Sequence, residues 1–188
     1  DAVGGTGVDT VRITYLNASG LETTTTKTLT GLTPVSIGAG YAAIQFMESQ
    51  HSVTARRTAA GKITISSING VATVATTLEL IAAGGNRSLS GRYTIPSDCS
   101  AYLLDWWAAA ISATMDTRIR ARSYAAGDAS TAFHFIDRVF LAAGASANSP
   151  SHYRKFPAGT ELKLSAIPGS APAGNKLDGN FDLICVAN

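Results

Sequence analysis

Arg118, Arg120 and Arg122 are the polar residues whose spacing carries the most geometry in this chain. In an extended strand, residues at i, i+2 and i+4 project from one face, so three guanidinium groups line up at steps of about 6.6 Å. Like charges in such a row repel unless water or carboxylates intervene. The row is therefore either a solvated or cross-strand-paired face, or a docking face whose forked donors clamp the carboxylates of an acidic partner. Arg56 and Arg57 are candidates to extend it. Trp106 and Trp107 are the second candidate pair. Adjacent residues of a strand point to opposite sides, so one tryptophan anchors an interior. The other meets a second surface, either a covering segment of the same chain or a partner, because tryptophan is enriched among interface anchors.

Acid–base, nucleophilic and metal chemistry find little to work with. His51, His134 and His152 stand alone, without the HxH, HxxxH or HExxH spacings by which imidazoles share a metal. The GGTG of Gly4 to Gly7 lacks the downstream Lys-Ser/Thr of a phosphate-binding loop, and no GxSxG elbow occurs. Glu161, Asp178 and Asp182 are acidic residues that a fold can gather, but they do not follow a calcium-loop pattern. Asn17-Ala18-Ser19 and Asn86-Arg87-Ser88 fit the glycosylation sequon, a match short enough to arise by chance. Cys99 and Cys185 fit no metal motif and lie in apolar strand contexts; both are expected to be free, reduced and buried as small hydrophobes. No catalytic, metal-binding or cofactor-binding residue is expected, and the chain is read as a non-enzyme.

The elements that must position these residues read as strands. From Cys99 to Ile111 no Gly or Pro intervenes, and helix competes with strand; the aromatics and the period-two run from Met115 to Tyr124 favour two antiparallel strands. Before them, Tyr93 to Ile95 is a short strand stopped by Pro96. Val8 to Leu16 alternates, Asn17 to Gly20 is a hairpin loop, and the threonine-rich Leu21 to Thr30 is an outer strand. A short strand follows at Val35 to Ile37, and Tyr41 to Val53, with Ala43, Ile44, Phe46 and Met47, reads as strand or as a short helical turn. Gly61 to Ile68 returns through the Asn69-Gly70 turn into Val71 to Ile81. Phe133 to Phe140 is apolar on both faces, as a middle strand would be; Ala142 to Ser151 is a small-residue loop. Tyr153 to Phe156, Thr160 to Ile167 and Asn180 to Val186 complete the series. Short strands at this spacing, without βαβ alternation, predict an all-β fold: a jelly-roll-like two-sheet antiparallel sandwich.

With 188 residues, the chain suits one domain or two small ones and can bury about 70% of its unfolded surface. The even strand spacing favours a flexible arm at 1–7 and a single sandwich over 8–188. A charged content of 15% with a net charge of +2 suits a protein packed against others, and is too weak for an electrostatic nucleic-acid binder. No apolar run approaches the ~18 residues that span a bilayer.

Three collinear stretches resemble one family. GTGVDTVRITYLNASGLETTTTKTLTGLTPVS, from Gly5, is similar to the opening of a group of tailed-phage virion proteins with GTG-x-x-TVRI-x-x-L-x-x-x-G and a Thr-rich strand. IAAGGNRSLSGRYTIPSDCSAYLLDW, from Ile81, resembles that group's I-x-AG-x-x-x-S/T-L-x-x-x-YT-I/V-P-x-x-x-x-AYL. FPAGTELKLSA, from Phe156, and FDLICVAN, from Phe181, resemble its closing motifs. Ser97-Asp98 stands where the group's turn carries Ala-Gly, and the DWWAAA run of Asp105 to Ala110 is unusual. The resemblance implies a capsid decoration (cement) protein of a cyanophage-like virion, a homotrimer whose partners are the major capsid protein or other virion proteins, assembled in the host cytoplasm. It implies no catalytic residue, cofactor, nucleic-acid or membrane partner. A neck- or tail-associated virion protein and a carbohydrate-binding host-attachment module are the alternatives.

Overall fold

The computed structural model describes residues 7–50, 58–67, 76–111, 114–123, 132–169 and 177–188. Every regular element among them is a strand, and every named pairing is antiparallel. The fold is all-β, as the alternating runs predict. Where the sequence draws one sandwich over 8–188, the chain divides into two compact units, Asp1–Ser90 and Gly91–Asn188, each with its own apolar core. Of the expected arm at 1–7, only Gly7 is described, and it is buried.

In the first unit, β1 (Thr10–Asn17), β2 (Glu22–Thr28) and β3 (Tyr41–Gln50) form a sheet in the order β2-β1-β3. The threonine-rich β2 is an edge strand, where branched side chains keep the pleat while their hydroxyls stay wet. β4 (Ile63–Ser67) and β5 (Thr76–Ile81) pair with each other. Val11, Ile13, Ile63 and Ile65 fill the core as their alternation predicts, together with Met47 and Ile81. Past the register shift at Thr14/Tyr15 the phase of β1 changes, and Thr14 and Leu16 are buried. Residues 35–37 form no strand; the Asn69-Gly70 turn lies outside the described residues.

The second unit holds β6 (Arg92–Thr94), β7 (Cys99–Ala110), β8 (Met115–Ser123), β9 (His134–Leu141), β10 (Ser146–Phe156), β11 (Thr160–Pro168) and β12 (Leu177–Ala187). One sheet runs β6-β11-β8-β9, the other β10-β7-β12. Ile119, Ala121, Leu162 and Leu164 from the first meet Ala101, Leu103, Trp106 and Ala108 from the second in one core. That is a two-sheet antiparallel sandwich.

Two expectations are corrected here. Phe133 to Phe140 is not a middle strand: β9 is the edge of its sheet, and Phe135 and Phe140 are 59% and 66% exposed. Apolar residues on both faces normally mark a strand with neighbours on each side, but here the outward rings lie under arginines instead. The expected loop at Ala142 to Ser151 ends at Ala145, because backbone from Ser146 onward pairs with β7 from Ala109 inward. Small polar residues carry little strand signal of their own; the long β7 supplies the ladder.

Sheet-to-sheet spacing depends on small residues facing each other. A Cβ built on Gly179 would lie 2.8 Å from the Trp107 carbonyl oxygen and 2.9 Å from Leu164 Cδ2 of the facing sheet. Gly179→Ala is therefore expected to lower stability by about 1–2 kcal/mol through overpacking, measured as a shift of the urea midpoint. An unchanged midpoint would show that β12 moves freely to make room.

Candidate docking faces of the second unit

Trp106 and Trp107 take opposite sides of β7, and a bulge decides which goes where. Asp105 is opposite Asp182 and Leu103 is opposite Leu183, so Leu104 has no counterpart on β12. The extra residue shifts the phase of the alternation. Ala101 and Leu103 point inward, and beyond the bulge so do Trp106, Ala108 and Ala110. Without it, strict alternation from Leu103 would turn Trp107 inward. Trp106 is 1% exposed, and its Nε1–H donates to Asp137 Oδ2 at 3.0 Å. Trp107 stands on the outer face, 37% exposed, opposite Asn180 of β12.

The outer face of the other sheet collects the arginines. Thr117, Ile119 and Ala121 are buried while Arg118, Arg120 and Arg122 project outward, as their spacing requires. Arg122 Nε donates to Glu161 Oε2 on β11 at 2.6 Å. Arg118 is directly opposite Arg138 on β9, and Asp116 accepts from both. Arg118 Nε reaches Asp116 Oδ2 at 2.8 Å, and Arg138 Nε and Nη2 reach Oδ1 and Oδ2 at 2.7 Å each. These donors, Arg138 first and then Arg118, hold the Asp116 carboxyl far below the usual carboxylate range. Arg120 Nη2 donates to Ser165 Oγ at 3.0 Å, and its Nε is buried without a partner among the described residues. Arg122 is thus neutralised across strands, Arg118 shares Asp116 of its own strand with Arg138, and the central Arg120 is held by a neutral hydroxyl.

Aromatic rings complete this face. Arg120, Arg122 and Lys163 lie over the Phe133 ring at 5.2, 4.6 and 5.9 Å from its centroid. Arg118 lies over Phe135 at 5.3 Å and Arg138 over Phe140 at 4.2 Å. A cation above a ring face is attracted by the ring's quadrupole, and a guanidinium laid flat keeps its N–H edge available for a planar acceptor. The sequence reading finds the arginine row but passes over the three phenylalanines. Alternation alone sets Phe133 and Phe135 on one face and Arg138 and Phe140 on the other. The register shift opposite Ile119/Arg120 brings all four outward, and no local signal announces it.

The remaining candidates do not assemble. Glu161 pairs with Arg122 on one sheet, while Asp178 and Asp182 belong to a strand of the other sheet. Among the described residues no three His, Cys, Asp or Glu side chains cluster at metal-binding distance. His134 is exposed at the start of β9; Arg56, Arg57, His51 and the side chain of His152 lie outside the described residues. Cys99 and Cys185 are both free, and Cys185 is exposed rather than buried. No helix among the described residues is long and apolar enough to cross a membrane. No protein-family model, curated protein or solved structure matches this chain.

Proposed function

We propose that this chain is a structural protein of a tailed-phage virion, a cement protein that attaches to the outside of the capsid shell. The observation that supports docking is the outer face of the β6-β11-β8-β9 sheet. There Arg118, Arg120, Arg122, Arg138 and Lys163 sit over Phe133, Phe135 and Phe140, against the carboxylates of Asp116 and Glu161. Five cations against two carboxylates leave a positive surplus that fits an acidic shell surface. Rings and strand pairing fix the guanidinium planes before contact, which lowers the ordering cost of association. The assignment to a phage head draws on the sequence motifs from Gly5, Ile81 and Phe156. Trp107, on the outer face of the opposite sheet, provides a second contact, and two faces per copy allow one chain to bridge neighbouring shell subunits. No bond is made or broken; the output is resistance of the shell to internal pressure.

The test is sedimentation of purified chain with heads that lack it. Wild type is expected to co-sediment in stoichiometric copies. Arg120→Glu combined with Phe135→Ser is expected to reduce occupancy by at least about tenfold, as loss of a central anchor does, while the circular dichroism spectrum is unchanged. Heads that take up no wild-type chain, or take up the variant equally well, would sink the proposal. A sugar-binding role has one observation in its favour. Tyr153 is exposed, with φ of 39° where β10 breaks register, and such strained, displayed aromatics occur at binding sites. Glycan-array binding that disappears with Tyr153→Ala would move the conclusion there.

A further inference from the structure

Three of the four sheet edges in the second unit carry features that discourage pairing, and the fourth does not. β6 is three residues long. β9 carries Asp137 and Arg138 and lies beside a register shift at Ile119/Arg120. β10 contains Pro150, which has no N–H, and breaks register between Pro150 and Arg154. Short length, charge, proline and bulges are how sheet proteins blunt their edges. β12 is 11 residues long and pairs with β7 on one side; among the described residues no strand takes its other side. Its second half, Leu183 to Ala187, has no charge, proline or glycine. Ile184 and Val186 are 50% and 49% exposed on the outer face. On the inner face, Cys185 and Ala187 are also exposed, although their partners Ala101 and Cys99 are buried. The strand order from β6 to β12 is that of a jelly roll stripped of its first strand, whose place is beside β12.

We infer that a second copy of this chain fills that place, with two β12 strands pairing antiparallel about a two-fold axis at Cys185. Identical edges are self-complementary under such an axis, and the composition selects the register. Centred at Cys185, Ile184 of one copy faces Val186 of the other, Leu183 faces Ala187, and Asp182 faces Asn188. Apolar residues meet apolar residues and no two carboxylates are opposed. Centred at Asn180 instead, Asp178 would face Asp182 twice, a destabilising pair of like charges. The two β10-β7-β12 sheets join into one of six strands, and the exposed inner-face Cys185 and Ala187 become part of its continuous floor. This stands without the virion reading, and its two-fold pair takes the place of the homotrimer that the sequence resemblance implies.

Opposed residues of an antiparallel pair have Cα atoms about 4.5–5.5 Å apart, within the reach of a disulfide. Mild oxidation of the purified chain is therefore expected to give a species of twice 19.4 kDa on a non-reducing gel. It should be absent in Cys185→Ser and retained in Cys99→Ser. Light scattering of the reduced chain is expected to give the same doubled mass. Ile184→Lys with Val186→Lys should return it to a single-chain mass with an unchanged circular dichroism spectrum. Ile184→Lys with Val186→Glu, which sets the introduced lysine of one copy opposite the introduced glutamate of the other, should restore the pair. A single-chain mass for wild type, a three-chain mass indifferent to these variants, or failure of the opposite-charge pair to restore association would each overturn the inference.

Discussion

Trp106→Ala is expected to lower the stability of the second unit by about 3–5 kcal/mol, the range for emptying a buried large aromatic site. The side chain lies between the two sheets with almost no exposure, and its indole N–H satisfies Asp137 Oδ2. Truncation leaves a cavity that the surrounding strands cannot close, because β10 and β12 are fixed by ladders on β7, and β9 and β11 by ladders on β8. Trp106→Phe separates the two contributions: most of the packing survives, and loss of the donated hydrogen bond costs about 1 kcal/mol. Trp107→Ala removes a ring already one-third exposed and is expected to change stability by less than about 1 kcal/mol. Urea unfolding followed by circular dichroism checks all three. Because the chain has two cores, the loss should fall on one transition and leave the other in place. If Trp107→Ala proved the more damaging of the two alanine variants, the phase assigned to β7 would be wrong.

That contrast also marks what local sequence rules can reach. Two adjacent tryptophans on a strand require one inward and one outward side chain, and that much follows from the pleat. Which is which depends on the bulge at Leu104, created by two partner strands distant in sequence; nothing in LLDWW announces it. The arginine row was legible for the opposite reason. Strand β8 is regular from Met115 to Ser123, so period two holds without interruption. Edge position is the property least visible locally. Phe133 to Phe140 reads as a middle strand because it is apolar on both faces, and Cys185 reads as buried because its strand context is apolar, yet β9 and β12 each lie at an edge. The rings of β9 are covered by Arg118 of β8 and by Arg138 of β9 itself, and Cys185 is left exposed. The division at Ser90/Gly91 escaped for a related reason: strand spacing is as even across it as within either unit, and only long-range contacts reveal two cores.

Asp116→Asn is the second large effect, about 2–3 kcal/mol of destabilisation at neutral pH. In the wild type, Arg118 and Arg138 are cross-strand neighbours that would repel. The Asp116 carboxylate accepts from both and is itself mostly shielded from water. An amide at that position keeps the shape but removes the charge, so two guanidinium groups face each other across β8 and β9 with no anion between them. The same carboxylate sets a pH dependence whose sign follows from its shift. Its folded-state pKa is depressed by the Arg138 and Arg118 donors, so folding favours the ionised form. The stabilisation is complete above the unfolded carboxylate pKa of about 3.9 and is lost progressively as pH falls below it toward the folded value. Wild type and Asp116→Asn should therefore differ most at neutral pH and converge on acidification. Urea midpoints from neutral pH down to about pH 2 measure the gap. A gap that stays constant through that range would mean that Asp116 acts through packing alone, and that the arginines tolerate each other without it.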